Sequence, residues 1–228
     1  MGIIPFSAQI RVRIMLKYDK FNPNPYGSHM KLLDLVDKNK VVLDVGCATG
    51  QLAKRLKEKG CKVYGIEIDE DAAKIARKYC EDVIVGDIEF LENLPYSEKF
   101  FDYIIFSDVL EHLKDPLTVL KRSRKYLKDN GYILCSIPNV AYIYVRLNLL
   151  FGKWDYQKKG ILDEQHLRFF TLKTFNNLVE KAGFKVEKID VTIPGKVAKI
   201  RGMNRFAYFL AKIKKNLFGY QFIIIAKK

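Results

Sequence analysis

The chain is poor in the residues that would tie it to several common roles. Its four cysteines, Cys47, Cys61, Cys80 and Cys135, form no C-x-x-C pair and sit inside apolar segments. That excludes a disulfide scaffold and a zinc ribbon and points to buried, reduced thiols. Histidine is scarce as well, with His29, His112 and His166 the full set. No apolar run reaches the roughly 18 residues of a membrane span; the best, Val140 to Phe151, is broken by Arg146 and Asn148. The opening Met1-Gly2-Ile3-Ile4-Pro5-Phe6 lacks the uninterrupted apolar core of a signal peptide, and Phe6 stands where a myristoylation signal needs Ser or Thr. The expectation is a soluble, cytoplasmic protein.

At 228 residues, 49% hydrophobic and 13% aromatic, the chain can bury a substantial core. The formal net charge of +14 favours anionic partners, but it is spread along the chain and no nucleic-acid recognition motif accompanies it. Between Lys196 and Phe218 there are seven basic residues and no acid. Ile200, Met203, Phe206, Ala207, Leu210, Ile213 and Leu217 recur there at helical spacing. Such a helix either packs on the sheet with its lysines in water or lies on an anionic membrane.

The most telling segment is Val41 to Gly50: a hydrophobic strand, Asp44, then a turn carrying Gly46, Cys47, Ala48 and Gly50, followed by the helical pattern Gln51 to Lys57. Small residues in a strand-to-helix turn let backbone approach a ligand. The spacing is not the G-x-G-x-x-G of a dinucleotide site. Further strands read as Cys61 to Ile66, ending at Glu67, then Val83 to Val85, ending at Gly86-Asp87, and Tyr103 to Phe106, which is apolar enough to be central. Helices are expected over Glu70 to Lys78 and Pro116 to Leu127. Asn130-Gly131 reads as a stop and Tyr132 to Ile137 as the fifth strand. Beyond Pro138 an aromatic helix, Tyr142 to Trp154, looks inserted. Thr171 to Ala182 reads as a helix with Thr171 as cap and Gly183 as stop, before strands Phe184 to Ile193 and Gln221 to Lys227. Alternating strands and helices indicate a doubly wound, mostly parallel sheet with ligands at the strands' carboxyl ends.

The turn with Asp44 just ahead, and the βα order over about Leu32 to Ile137, resemble class I S-adenosylmethionine-dependent methyltransferases. The resemblance implies a Rossmann-like sheet of seven strands with an antiparallel C-terminal strand and an inserted helical lid. One domain over 1–228 is implied, with an N-terminal helical cap (1–31), a cofactor core (32–137), a lid (138–170) and a C-terminal helix and strand pair (171–228). The cofactor implied is S-adenosylmethionine. Glu67, or alternatively Asp69, would accept from the ribose hydroxyls; Asp87 would accept from the adenine amino group, beside Ile88; Ile68 and Ser107 flank the site. Asp44 would lie near the ammonium end or only order the turn, and Gly50 could serve packing alone. Ala48 replaces a common family glycine.

Asp108-Val109-Leu110-Glu111-His112 resembles the V-L-E-H run of ubiquinone-pathway O-methyltransferases and their relatives. On a helix Asp108, Glu111 and His112 would share one face, as metal ligands, as a capping pair or with His112 toward substrate; no metal is expected. His166-Leu167-Arg168-Phe169-Phe170-Thr171 resembles a run in methyltransferases of polysaccharide and other glycoconjugate enzymes. The implied activity is methyl transfer to a hydroxyl of a small molecule, sugar or lipid-linked acceptor. His166 or His112 would be the base, Arg168 an anion holder, and Tyr142 and Trp154 stacking surfaces; a purely structural role for each stays open. RNA or protein methylation, a non-catalytic cofactor-binding relative and a nicotinamide dehydrogenase are the alternatives.

Overall fold

A computed structural model describes residues 21–200 and 202–228. Seven strands form one sheet in the order β3-β2-β1-β4-β5-β7-β6. They are β1 (Val41–Val45), β2 (Lys62–Glu67), β3 (Asp82–Val85), β4 (Phe101–Ser107), β5 (Leu127–Pro138), β6 (Lys185–Val191) and β7 (Gln221–Lys227). The first five pair in parallel, whereas β7 lies antiparallel between β5 and β6. The mostly parallel Rossmann-like sheet with an antiparallel last strand is therefore present as expected.

Both faces of the sheet are covered, which is why its inner strands read as continuous apolar runs. Alternate residues supply the two faces. Leu43, Val45, Ile104 and Phe106 pack with Val119 and Leu120 of α4 (Pro116–Arg124) and Phe175 and Val179 of α6 (Leu172–Lys181). Val42, Val63 and Ile105 pack on the other side with α1 (Ser28–Leu35), α2 (Gln51–Glu58) and α3 (Glu70–Ala76). The order of winding reverses between the parallel strands β1 and β4, which opens the crevice where such sheets hold ligands.

Several boundaries differ from the sequence reading. The helix begun at Pro116 ends at Arg124, and Asn130-Gly131 lies within β5, beside a register shift opposite Phe101 and Tyr103. A Cβ on Gly131 would lie 3.0 Å from Lys128 O and 3.1 Å from Asp102 O, so this glycine serves close packing of strands and not a helix stop. α3 ends at Ala76, and β6 is shorter than Phe184 to Ile193. Thr171 does cap α6, its hydroxyl accepting from Thr174 N, and Gly183 follows with φ +90°. Of the expected cap over 1–31, residues 1–20 lie outside the described residues, as does Arg201 of the basic segment.

The inserted region holds α5 (Ile143–Leu150), with Tyr142 at its N-cap and Trp154 beyond its end. Between Val191 and Gln221 the chain forms α7 (Gly195–Ala198), α8 (Met203–Ile213) and α9 (Lys215–Phe218). Among the described residues no helix is long and apolar enough to cross a membrane.

Candidate active site

A cavity of about 370 Å³ opens at the carboxyl ends of β1, β2, β3 and β4. Asp44, Gly46, Cys47, Ala48, Glu67, Ile68, Asp87, Ile88, Ser107 and His112, all singled out from the sequence, line it. Gly46 has φ +71°, and a Cβ there would lie 2.7 Å from Val109 Cγ2, so the turn must be bare at that point. Ala48 takes φ +47° without being glycine, and its N–H donates to Glu67 Oε2 at 2.8 Å. The other oxygen of Glu67 accepts from Asp69 N at 2.9 Å. Glu67 is thus clamped by backbone at both oxygens. Burial raises its pKa, and backbone N–H donors oppose that rise.

Asp69 has a different role. Its Oδ1 accepts from Asp71 N and Ala72 N at the start of α3, where it is the N-cap. Asp87 caps its own turn by accepting from Glu89 N at 2.9 Å. Asp44 is buried, and burial followed by the charge of Glu67 pushes its pKa up to about 7. Gly50 does not reach the cavity; a Cβ on it would meet Ala76 Cα at 2.9 Å, so it permits α2 to pack on α3.

The Asp108 to His112 stretch is not the expected helix. Leu110–His112 is a single 3-10 turn with no side-chain cap, and Asp108 takes φ +54°. Asp108 and Glu111 consequently point to different surroundings. Asp108 lines the cavity, accepting from Gln221 Nε2 at 2.8 Å and Ser28 Oγ at 3.5 Å; burial raises its pKa to about 6. Glu111 turns inward, 1% exposed, and among the described residues neither carboxylate oxygen has a hydrogen-bond partner. Burial, with Asp108 adding to it, raises its pKa well above the usual range.

The second motif docks on this turn through backbone: Leu167 N and Arg168 N both donate to Glu111 O. His112 Nδ1 lies 3.0 Å from Gln165 O, a group that can only accept. In the neutral ring the Nδ1 therefore carries the hydrogen and Nε2 holds the lone pair. His166 repeats the arrangement with Ile161 O at 3.0 Å, and its Nε2 is 4.0 Å from Glu111 Oε1. The two rings meet edge to face with centroids 4.9 Å apart. Glu111, His112 and His166 each bring a ligand atom within 4.8 Å of the others, a donor set that suits a divalent cation or a shared proton. This set differs from Asp108-Glu111-His112, because Asp108 faces the cavity.

Four residues expected at the acceptor side lie elsewhere. Arg168 donates from Nε and Nη2 to Lys114 O, pinning its segment to the turn after His112. Tyr142 and Trp154 pack in the lid's own small core around Val145, Ile161 and Leu162. His166 is buried behind His112 and does not line the cavity. Conversely, the cavity includes His29, Gln51 and Gln165, which the sequence did not mark. His29 stacks on Phe21 at 5.4 Å and its pKa is lowered by burial. No strand pattern surrounds it, so nothing in the local sequence points to the cavity.

This sheet order, with a small-residue turn after β1 and acids at the ends of β1, β2 and β3, defines the Rossmann-like methyltransferase class. Residues 23–189 match the family model described as a methyltransferase domain, and the chain belongs to that family. It is 31% identical over 135 residues to a ubiquinone biosynthesis O-methyltransferase of Acinetobacter baylyi, covering 52% of this chain and 56% of that protein. It is 28% identical over 184 residues to a demethylmenaquinone methyltransferase of Bacillus cereus, covering 71% and 76%. The chain spans about half the length of the ubiquinone-pathway relatives it matches. In fold it is similar to a Thermotoga maritima structure described as a SAM-dependent methyltransferase, possible histamine N-methyltransferase (TM-score 0.63, 21% identity, 97% and 95% covered). An Archaeoglobus fulgidus SAM-dependent methyltransferase is similar at TM-score 0.60 and 23% identity, with 98% and 100% covered. The cofactor is S-adenosylmethionine, and the cavity suits it in size and in the acids facing it.

Proposed function

We propose that the chain transfers a methyl group from S-adenosylmethionine to a hydroxyl oxygen of a small acceptor, with His112 as the base. The observation that carries this reading is that His112 lines the same cavity as the strand-end acids while its ring is oriented by Gln165 O. When bound, the cofactor supplies an electrophilic methyl group on a sulfonium. Glu67 lines the cavity with each oxygen holding one backbone donor, and it would accept from the ribose hydroxyls through the remaining lone pairs. Ile68 and Ile88 flank the adenine, and Asp87 accepts from its amino group. Asp44 and Asp108 favour the cationic end of the cofactor over a neutral ligand.

Methyl transfer at carbon needs alignment more than acid–base power, but a hydroxyl must also shed its proton. His112 Nε2 takes that proton as the acceptor oxygen is alkylated. The imidazolium so formed meets the His166 ring edge to face, with the buried Glu111 carboxyl close by. His166 is therefore a positioning residue and not the base. A ring hydroxyl on a quinone-like acceptor agrees with the named activity of the ubiquinone-pathway relative, and a sugar hydroxyl has the same chemistry.

The test uses isotopically labelled S-adenosylmethionine and cell extract, with the products fractionated by class. Label should enter small molecules, lipids or glycans, and His112→Asn should slow transfer by about 10²-fold or more while S-adenosylhomocysteine still binds. Label appearing in RNA or protein would overturn the acceptor class. Unchanged turnover in His112→Asn would remove the base.

A further inference from the structure

α8 packs on the body in an unusual sense for a surface helix. Its inward side is small or polar: Ala211 is buried, and Tyr208 OH is 2.6 Å from Lys31 Nζ and 2.9 Å from Asp190 Oδ1. Its bulky apolar side faces out, with Phe206 63% and Phe209 59% exposed beside Met203 and Ile213. The sequence pattern alone admitted this stripe packed against the sheet; the structure turns most of it to the outside.

α5 does the same. Leu147, Leu149 and Leu150 are exposed, the last at 76%, and Phe151 just beyond is 74% exposed. The two helices belong to one end of the molecule. α5 follows Pro138, which ends β5, while α7, α8 and α9 join Val191 to Gln221, and these pair with Phe222 and Pro138 respectively. That is the carboxyl end of the parallel strands, where the cofactor cavity also opens. Arg146 of α5 and Ile213, Lys214 and Leu217 of the second segment line one groove, so the two apolar surfaces adjoin.

Charge selects the occupant. Residues 194–220 contain seven basic residues and no acid, and residues 139–162 contain four basic residues and one acid. A second copy of the chain would bring the same positive charge to the contact. A nucleic acid would meet the cations but gain little from aliphatic side chains standing between them. Protruding apolar side chains ringed by lysine match the headgroup and acyl layers of an anionic bilayer.

We propose that α5 and α8 form a membrane-docking face that seats the molecule on anionic lipid with its cavity end toward the bilayer. The inference goes beyond the methyl-transfer reading and does not depend on it. α8, about 16 Å long at 1.5 Å per residue, would lie in the interface plane with Phe206 and Phe209 among the acyl chains.

Flotation with phosphatidylglycerol–phosphatidylcholine vesicles at low salt tests this on the full chain. The protein should float with those vesicles, stay behind with pure phosphatidylcholine, and be released by high salt. Lys212→Glu, Lys214→Glu and Lys215→Glu together should lower partitioning about a hundredfold. Phe206→Asp with Phe209→Asp should lower it about tenfold or more, and both variants should bind S-adenosylhomocysteine as the parent does. Failure to float at low salt, equal flotation with neutral vesicles, or self-association that survives low salt and buries this face would overturn the proposal. A chain that floats but binds no S-adenosylhomocysteine would keep the membrane face and remove the cofactor reading.

Discussion

The two sides of the cavity are built by different means. On the β1–β3 side the acids Glu67 and Asp87 stand at strand ends and are fixed by nearby backbone, Glu67 by Ala48 N and Asp69 N and Asp87 by Glu89 N. On the β4 side the groups are fixed by chain from far away. His112 is oriented by Gln165 O, Glu111 O receives Leu167 and Arg168, and Asp108 is held by Gln221 and Ser28. The first arrangement suits a ligand that never changes. The second leans on the 139–170 segment for the orientation of His112, so the acceptor side can vary while the Glu67 and Asp87 contacts stay the same.

The sharpest way to break this comparison is Glu67→Ala. It removes the acid proposed above for the ribose hydroxyls and leaves Ala48 N and Asp69 N without their carboxylate, so S-adenosylhomocysteine affinity should fall about a hundredfold by calorimetry. A loss below about threefold would mean that backbone alone defines the cofactor side.

A smaller effect follows from pH. The folded pKa of Asp44, about 7, is above its ordinary value of 3.8, so the folded ligand-free chain binds the extra proton. Its contribution to stability is full below about pH 4 and is lost as pH rises through about 7. With Asp44 placed at the cofactor's ammonium end, as proposed above, cofactor affinity runs the other way, since it needs the ionised carboxyl, and should rise about tenfold from pH 6 to pH 8. Thermal unfolding and calorimetry across that range should show the opposed trends, and Asp44→Asn should flatten both.

The smallest effect is expected at the lid. Trp154 meets Phe169 edge to face with centroids 5.4 Å apart, away from the cavity. Trp154→Ala should therefore leave S-adenosylhomocysteine affinity within about threefold. A larger loss would show that the lid reports to the cofactor side after all.

Which parts were legible in the sequence follows from the same contrast. Glu67 and Asp87 could be located because an acid after a short apolar run marks a strand end, and a strand end in this topology is the ligand edge. Tyr142, Trp154 and Arg168 have residue types suited to an acceptor site, but their direction depends on how 139–170 folds back, which periodicity does not record. Glu111 was read through helical spacing, and a positive φ at Asp108 broke that geometry at its first residue. Asn130-Gly131 has the composition of a stop, yet strand pairing with β4 overrides it.

The strand order carries a consequence for biosynthesis. β7 follows β6 in the chain but lies between β5 and β6. Until its seven residues emerge from the ribosome, β5 has an open edge and β6 has no partner in the sheet. Gln221, the residue that opens β7, is also the one that holds Asp108 at the cavity. The nascent chain can thus assemble its β1–β3 half early, but Asp108 is held at the cavity only once β7 is in place, and a stop between β6 and β7 leaves two adhesive edges exposed.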